Sequence, residues 1–423
     1  MSWPSAPRAL ALVVAAAAVI ALAFLARRPV PEPARAAPAA AKAAPRAPAD
    51  GARGVTDREI VLGMASPFTG ANRDLGRAMK AGVEAAFAEV NAAGGLHGRT
   101  LRLLAVDDGY EPSRTLAAVR QLVDGEGVFA LVGNVGTPTA AVAAPYCQER
   151  RVLFFGALSG GDVLRTSPPA RYVFNFRPSY AEETSAAVRW LVRVKRVDPR
   201  RIAVFAQDDE FGESGWRGAA LELASRGVDP RGVLRLRYRR NTADVERAVA
   251  ALQARAREVD AVVSVATYKA AAAFILRTRD AGLSLVYTNV SAVDSSALAQ
   301  ELVSAGGGYA RDVVVTQVVP LATSRWPIVA RFQEALATHN PGVRPGSVAL
   351  EGFVVGTLLA EALRRTGREL DADRLVTTLE GMEAVDLGLG TKLGFGPAKH
   401  QASQKVWGAV LQPDGAWRQM ELD

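Results

Sequence analysis

Beyond residue 54, short apolar runs alternate with stretches whose apolar residues recur at helical spacing. Glu59–Met64, Leu101–Val106, Val128–Val132 and Val152–Phe155 read as strands buried on both faces. Between them, Met79, Val83, Phe87 and Val90 mark a helix that Asn91-Ala92-Ala93-Gly94-Gly95 ends, and Pro112 opens another through Asp124. Asn175–Tyr180 lacks periodicity and reads as a crossing, after which the alternation restarts. Helices are predicted at Glu182–Val194, Ser214–Arg226, Asp244–Glu258 and Ala270–Ala281. Strands are predicted at Arg201–Ala206, Val233–Tyr238, Ala261–Ala266 and Leu285–Asn289. Val313–Val319 reads as a second crossing, followed by helices near Pro327–Thr338, Val348–Thr366 and Asp373–Gly381. Val406–Met420 reads as a terminal hairpin turning at Pro413-Asp414-Gly415. Two such blocks predict an α/β fold of two doubly wound, Rossmann-like lobes with right-handed crossovers.

The stretch Val128–Gly161 organises this pattern. Its two strands end in small, hydroxyl-bearing turns, Gly133–Thr139 and Ala157–Gly161, and in an open α/β sheet that carboxyl edge is where ligands sit. Thr137 is placed to cap the following helix, with Pro138 at its first position. Free N–H groups and the helix dipole make such a turn attractive to an anion, so Thr137 and Ser159 are candidate ligand contacts as well as caps. Tyr268, after the strand Ala261–Ala266, can stack on a ligand or close the core, and Asn289 and Ser291 end a further strand.

Composition adds limits. With 49% apolar and 22% charged residues, a sizeable core is available. The net charge of +8 is mostly local, because residues 1–53 carry seven Arg and Lys against Glu32 and Asp50. Basic and aromatic residues do not interleave as in a nucleic-acid module, so no nucleic-acid partner is expected. Ala9–Ala26 is uncharged and flanked by Arg8 and Arg27-Arg28, which predicts a signal peptide or membrane anchor over 1–28 and a periplasmic or extracytoplasmic location. Pro/Ala-rich residues 29–53 read as a semi-rigid linker. Cys147 is the only cysteine, which excludes an internal disulfide and a cysteine-based zinc site.

Catalytic equipment is scarce. His97, His339 and His400 fall in predicted loops, and no nucleophile elbow, Walker loop or His-Glu-x-x-His occurs. Gly133-Asn134-Val135-Gly136 lacks the third glycine of a dinucleotide fingerprint. The carboxylate pairs Asp107-Asp108 and Asp208-Asp209 read as metal or ammonium ligands, or as caps and solvated loop charge. No enzyme activity, cofactor or metal is expected.

Taken jointly, Ile60–Gly63, Ser66–Gly70, Glu89–Arg99 (EVNAAGGLHGR), Asp107-Asp108, Gly133–Thr139 and Gln207–Gly212 (QDDEFG) resemble one family. They are similar to type I periplasmic binding proteins of the branched-chain amino acid (Leu/Ile/Val) class, the substrate-binding subunits of ABC importers. The resemblance implies two lobes joined by three crossovers, near Arg177–Ser179, Gln317–Val319 and Gln404, closing like a hinge on a small ligand. It implies one lobe from 54–178 and 319–403 and another from 179–318 with the hairpin 404–423. It implies an ABC permease in the inner membrane as partner. It also implies a ligand-binding set of Phe68, Thr137, Ala157, Ser159, Gly160, Phe211, Tyr268 and Ser291, with carbonyls around Ala157 and Leu158 open to a donor. Ser291 stands where amino-acid binders of the class place a carboxylate for the ammonium. A buried ammonium without a counter-charge is costly, so this departure favours a carboxylate or amide lacking the amine over an amino acid. Asp294 is the nearest acid, and its expected role is a helix cap. A membrane-tethered ligand sensor of the same fold and an α/β enzyme are the alternative readings.

Overall fold

A computed structural model describes residues 52–422; the predicted signal peptide or anchor, and the linker up to residue 51, lie outside the described residues. The first sheet contains β1 (Glu59–Ser66), β2 (Thr100–Asp107), β3 (Ala130–Val132), β4 (Leu153–Phe155) and β5 (Val173–Phe174), all parallel, in the order β2-β1-β3-β4-β5. The second contains β6 (Ile202–Gln207), β7 (Arg235–Tyr238), β8 (Ala261–Val265), β9 (Val286–Asn289) and β10 (Val313–Gln317), also parallel. The antiparallel hairpin β11 (Trp407–Leu411) and β12 (Trp417–Met420) extends it beyond β10. Setting the hairpin aside, both sheets have one strand order, with the switch between crossover directions at β1/β3 in the first and β6/β8 in the second.

Alternation along each strand feeds a core on either face. Ile60, Leu62 and Met64 join one cluster, while Val61 and Ala65 join another. The first face is covered by α1 (Arg73–Ala92), α9 (Pro327–His339), α10 (Ser347–Thr366) and α11 (Ala372–Glu380), the second by α2 (Pro112–Arg120) and α3 (Thr137–Arg150). The second sheet is covered by α4 (Tyr180–Arg193) and α5 (Glu210–Ala224) on one side. On its other side lie α6 (Glu246–Ala254), α7 (Tyr268–Asp280) and α8 (Ser295–Ala305). Predicted elements differ from these mainly at their ends. The helix expected to run through Asp124 stops at Arg120 and continues as a π-helical turn, Gln121–Gly125.

Three stretches join the two sheets. The first, at Asn175–Ser179, lies beside the third, with Ala402 N donating to Asn175 O (2.9 Å) and Ser403 N to Phe176 O (3.0 Å). Buried Val318 and Val319 form the second. The residues from Val313 to Gln317, read from sequence as part of a crossing, are strand β10. Arg165 braces the junction by donating to the carbonyls of Arg177 (2.9 Å) and Gly161 (3.0 Å) and to Gln401 Oε1 (2.8 Å).

Helices α1 and α10 approach through glycines. A Cβ on Gly82 would lie 1.9 Å from Ala349 O, and one on Gly352 would lie 2.4 Å from Met79 O. Gly82→Ala is therefore expected to lower stability by about 1–3 kcal/mol in urea unfolding, since the helices must separate. An unchanged unfolding midpoint would contradict this account of the contact.

Candidate functional site

The two turns at the carboxyl edge of the first sheet are zipped together: Leu158 N donates to Asn134 O (2.8 Å) and Gly136 N to Leu158 O (3.3 Å). Gly136, at φ +107°, is the N-cap of α3, and a Cβ there would lie 2.4 Å from the Tyr110 ring. Thr137 is consequently the first helical residue and not the cap, with Pro138 second. Its hydroxyl instead meets Ser159 Oγ at 2.8 Å, which also accepts from Gly161 N at 3.1 Å. The carbonyls expected to be open are engaged: Ala157 O accepts from Ser159 N and Leu158 O from Gly136 N.

Tyr180, the first residue of α4, gathers several of the predicted positions. Its N–H donates to Gly160 O (2.8 Å), its phenol bonds the Thr137 hydroxyl, and its ring lies 4.9 Å from that of Phe211. Thr137, Ser159, Gly160 and Phe211 thus share one buried neighbourhood. Phe68 lies apart on the loop after β1, its N–H bonded to Asp107 Oδ1 at 2.7 Å. Burial raises the Asp107 pKa, but donors from Thr69, Phe68, Gly109 and Arg114 outweigh it and hold the carboxyl down to about 2. Neighbouring Asp108 is pushed up to about 6 by burial, against hydrogen bonds from Tyr110 N and Thr115 Oγ1. Both carboxylates therefore act as loop braces, and among the described residues no group of three or more His, Cys, Asp or Glu could hold a metal ion.

The two carboxyl edges meet across side chains that were not among the expected ligand contacts. Buried Tyr110, from the first sheet's β2 turn, bonds Gln207 at the end of β6, and Gln207 Oε1 accepts from Tyr238 at 3.0 Å. Burial, with Asp209 nearby, drives the Tyr110 phenol well above its ordinary pKa, so it stays neutral. Around this centre Asn241 Nδ2 donates to Gly109 O (3.2 Å), Arg240 pairs with Glu111 (3.1 Å), and Arg217 pairs with Asp162 (2.5 Å). Tyr268 spans the same divide, donating to Ala71 O (2.9 Å) and Asp74 Oδ2 (2.6 Å).

Ser291 sits against a carboxylate after all. Glu183 on α4 accepts from Ser291 N (2.7 Å), Ser291 Oγ (3.1 Å) and the Thr316 hydroxyl. The guanidinium of Arg177, on the first crossing, donates to Ser291 Oγ and lies 3.5 Å from Glu183 and 3.6 Å from Glu351 of α10. Asp294 is the N-cap of α8, accepting from Ser296 N (3.1 Å) and Ala297 N (3.3 Å). Asn134, Asn289 and Gln317 end or follow strands at these edges, are at most 2% exposed, and have no hydrogen-bond partner on either side-chain polar atom. Asn289 was visible as a strand end; the Ser179-x-x-Glu182 capping box that starts α4 at Tyr180 was a readable signal for the start of that helix.

Cys147 and His97 take structural places, the first buried in α3 and the second on an exposed turn against Arg364 O. His339 ends α9, and His400 is buried, stacked 3.8 Å from Phe174.

Two doubly wound sheets, turned edge to edge at their switch points and bridged by polar side chains, define a two-lobed binding protein. Residues 59–416 match the family described as periplasmic binding protein, and the chain belongs to it. A possible leucine/isoleucine/valine-binding protein from Rhodopirellula baltica SH 1 has a similar structure, with a TM-score of 0.82 and 36% identity over 86% of this chain and 97% of that one. A substrate-binding periplasmic protein from Ralstonia solanacearum aligns with a TM-score of 0.77 and 27% identity, covering 86% and 100%. Leu/Ile/Val-binding protein homolog 7 of Brucella abortus (strain 2308) is 25% identical over 84% of this chain and 88% of its own. The protein is a substrate-binding protein and not an enzyme, and its family is extracytoplasmic.

Burial pushes the Asp294 carboxyl up to about 6, against the two backbone N–H groups it accepts. A carboxyl whose folded pKa is raised contributes full stability below its unfolded value and loses it as pH rises through 6. Asp294→Asn keeps the cap and tolerates the residue's φ of +59°. It should therefore add about 1–2 kcal/mol at pH 8 and little at pH 4 in urea unfolding. Equal effects at both pH values would rule out the burial cost.

Proposed function

We propose that the protein is the solute-binding subunit of an ABC importer, holding a small carboxylate or amino-acid-like ligand between its lobes and presenting the closed form to a permease in the inner membrane. The lobes are 54–178 with 319–403, and 179–318 with 404–423, a division supported by the two sheets and their separate cores. The observation that carries the reading is the Thr137–Ser159 hydroxyl pair at the N-terminus of α3, set at a switch point that faces the second sheet through Tyr110 and Gln207. A ligand carboxylate would exchange for the hydrogen bond between these hydroxyls and gain the α3 dipole. Phe211 and Tyr180 would cover its apolar part, and closure would carry Tyr268 onto Asp74. The relatives named for leucine, isoleucine and valine support a ligand of this size. The inner-membrane permease follows from the importer assignment.

The test is thermal unfolding of the protein against a panel of amino acids, deaminated acids and amides. A bound ligand at 100 times its Kd adds about 2.7 kcal/mol, which raises the Tm by a few degrees. Thr137→Ala and Ser159→Ala should each weaken a carboxylate ligand by about tenfold or more. A panel without a single shift, or a ligand indifferent to both substitutions, would refute the reading.

A further inference from the structure

A cavity of about 810 Å³ has walls from both lobes, and none of the expected cleft contacts lines it. One wall belongs to the first lobe: the opening turns of α1, with Arg73, Asp74 and Arg77, and the loop before α10, with Arg344. The other belongs to the second lobe: α8, with Asp294, Ser296 and Gln300, and the turn of the terminal hairpin, with Asp414.

The three arginines are under-matched. Arg77 has no partner among the described residues. Arg344 meets only the amide oxygen of Gln300, at 3.2 Å. Arg73 lies 3.7 Å from its neighbour Asp74, which already accepts from Tyr268 at 2.6 Å. The acids of the opposite wall are held by their own turns. Asp294 accepts from Ser296 N and Ala297 N, Asp414 accepts from Ala416 N at 2.9 Å, and neither pairs with an arginine.

Both helices of the first wall add to its positive potential. They start here, α1 behind Asn72 and α10 behind Gly346, and no side chain caps either end. From the other wall, the Ser296 hydroxyl and the Gln300 amide N–H, neither of which has a partner, supply neutral donors. A carboxylate offers one charge and two oxygens, which a single guanidinium fork can already engage. A phosphate monoester carries nearly two charges and three terminal oxygens, so it can use three guanidiniums. The cavity is within the size range of small-molecule sites, which leaves room for an organic group beside the phosphate.

We propose that Arg73, Arg77 and Arg344 form a site, separate from the cleft, for the phosphate group of a small phosphate monoester. Asp294 and Asp414 confine the anion to the first wall, and Val343, Pro345 and Trp417 line the space left for its organic part. A free ester and the headgroup of phosphatidic acid present the same chemistry, and the experiment separates them. The site does not depend on what the cleft holds.

The experiment is titration calorimetry of the full chain with glycerol 3-phosphate, a water-soluble short-chain phosphatidic acid, acetate and glycerol. Glycerol 3-phosphate should bind one to one, acetate far more weakly and glycerol not at all. Arg77→Gln and Arg344→Gln should each weaken the ester about tenfold or more. Both side chains are exposed, so neither substitution should move the urea unfolding midpoint. Arg247→Gln, on α6 beside β7 at the other edge of the second sheet, should leave binding unchanged. Failure of both phosphate compounds to bind overturns the proposal. So does binding that survives Arg77→Gln and Arg344→Gln, that falls as much with Arg247→Gln, or that acetate matches. Tighter binding of the phosphatidic acid assigns the site to a lipid headgroup, and equal or weaker binding assigns it to a free ester. None of these outcomes involves the cleft ligand, so this site and the proposed function stand or fall separately.

Discussion

A guanidinium with no access to water must be met by charge and hydrogen-bond acceptors wherever it sits, or it is strongly destabilising. Arg177 imposes that condition at the one place where the chain first leaves one sheet for the other. Its partners come from three directions: Glu183 from the helix that follows, Ser291 from the end of β9, and Glu351 from a helix packed on the opposite lobe. Position and angle at the junction are therefore set by the needs of one side chain, and the long helix α10 is tied to both lobes at once. Arg165 repeats the theme with backbone acceptors, gathering the Ser159 turn and two of the three crossing strands.

From this junction the two sheets extend with a common strand order, so their switch points are brought to the same divide. At each switch point the strands run into small or polar residues, Ser66 and Gly133-Asn134 in the first sheet and Gln207 and Ala266-Thr267 in the second. Gly136 admits the Tyr110 ring, Thr137 and Ser159 hold each other, and Gln207 and Tyr238 answer from the far side. Bulk is excluded on the outer layer in the same manner, where Gly82 and Gly352 let α1 and α10 touch backbone to backbone.

Much of this was readable from residue order. Buried parallel strands declare themselves as apolar runs, and the turns after β3 and β4 carry their hydroxyls within a few residues of the strand ends, so Thr137 and Ser159 could be named. Local rules failed where a side chain's partner is distant. Thr137 looks like a cap because its neighbours suit a helix start, yet Gly136 takes that place and frees the hydroxyl for a residue 22 positions on. Ser291 looked like a missing carboxylate because the acid that serves it lies 108 positions earlier. Arg177 and Glu351 carried no signal, since a charged residue in a crossing or a helix is by default assigned to solvent. Tyr110 was hidden by a turn that reads simply as Asp-Asp-Gly.

Neither lobe is continuous in sequence. The first sheet's core needs α9, α10 and α11, from beyond residue 326, and the edge of β10 stays open until the hairpin at 407–420 pairs with it. A chain emerging from its N-terminus therefore cannot complete either half, because the last segments made are those that close both. Nearly the whole polypeptide must be present before the cooperative structure forms, and until then a parallel sheet edge is open to mispairing with other chains. The order of the strands along the chain thus defers folding to the end of synthesis, so that the chain's first half spends its making as an open sheet awaiting its last segments.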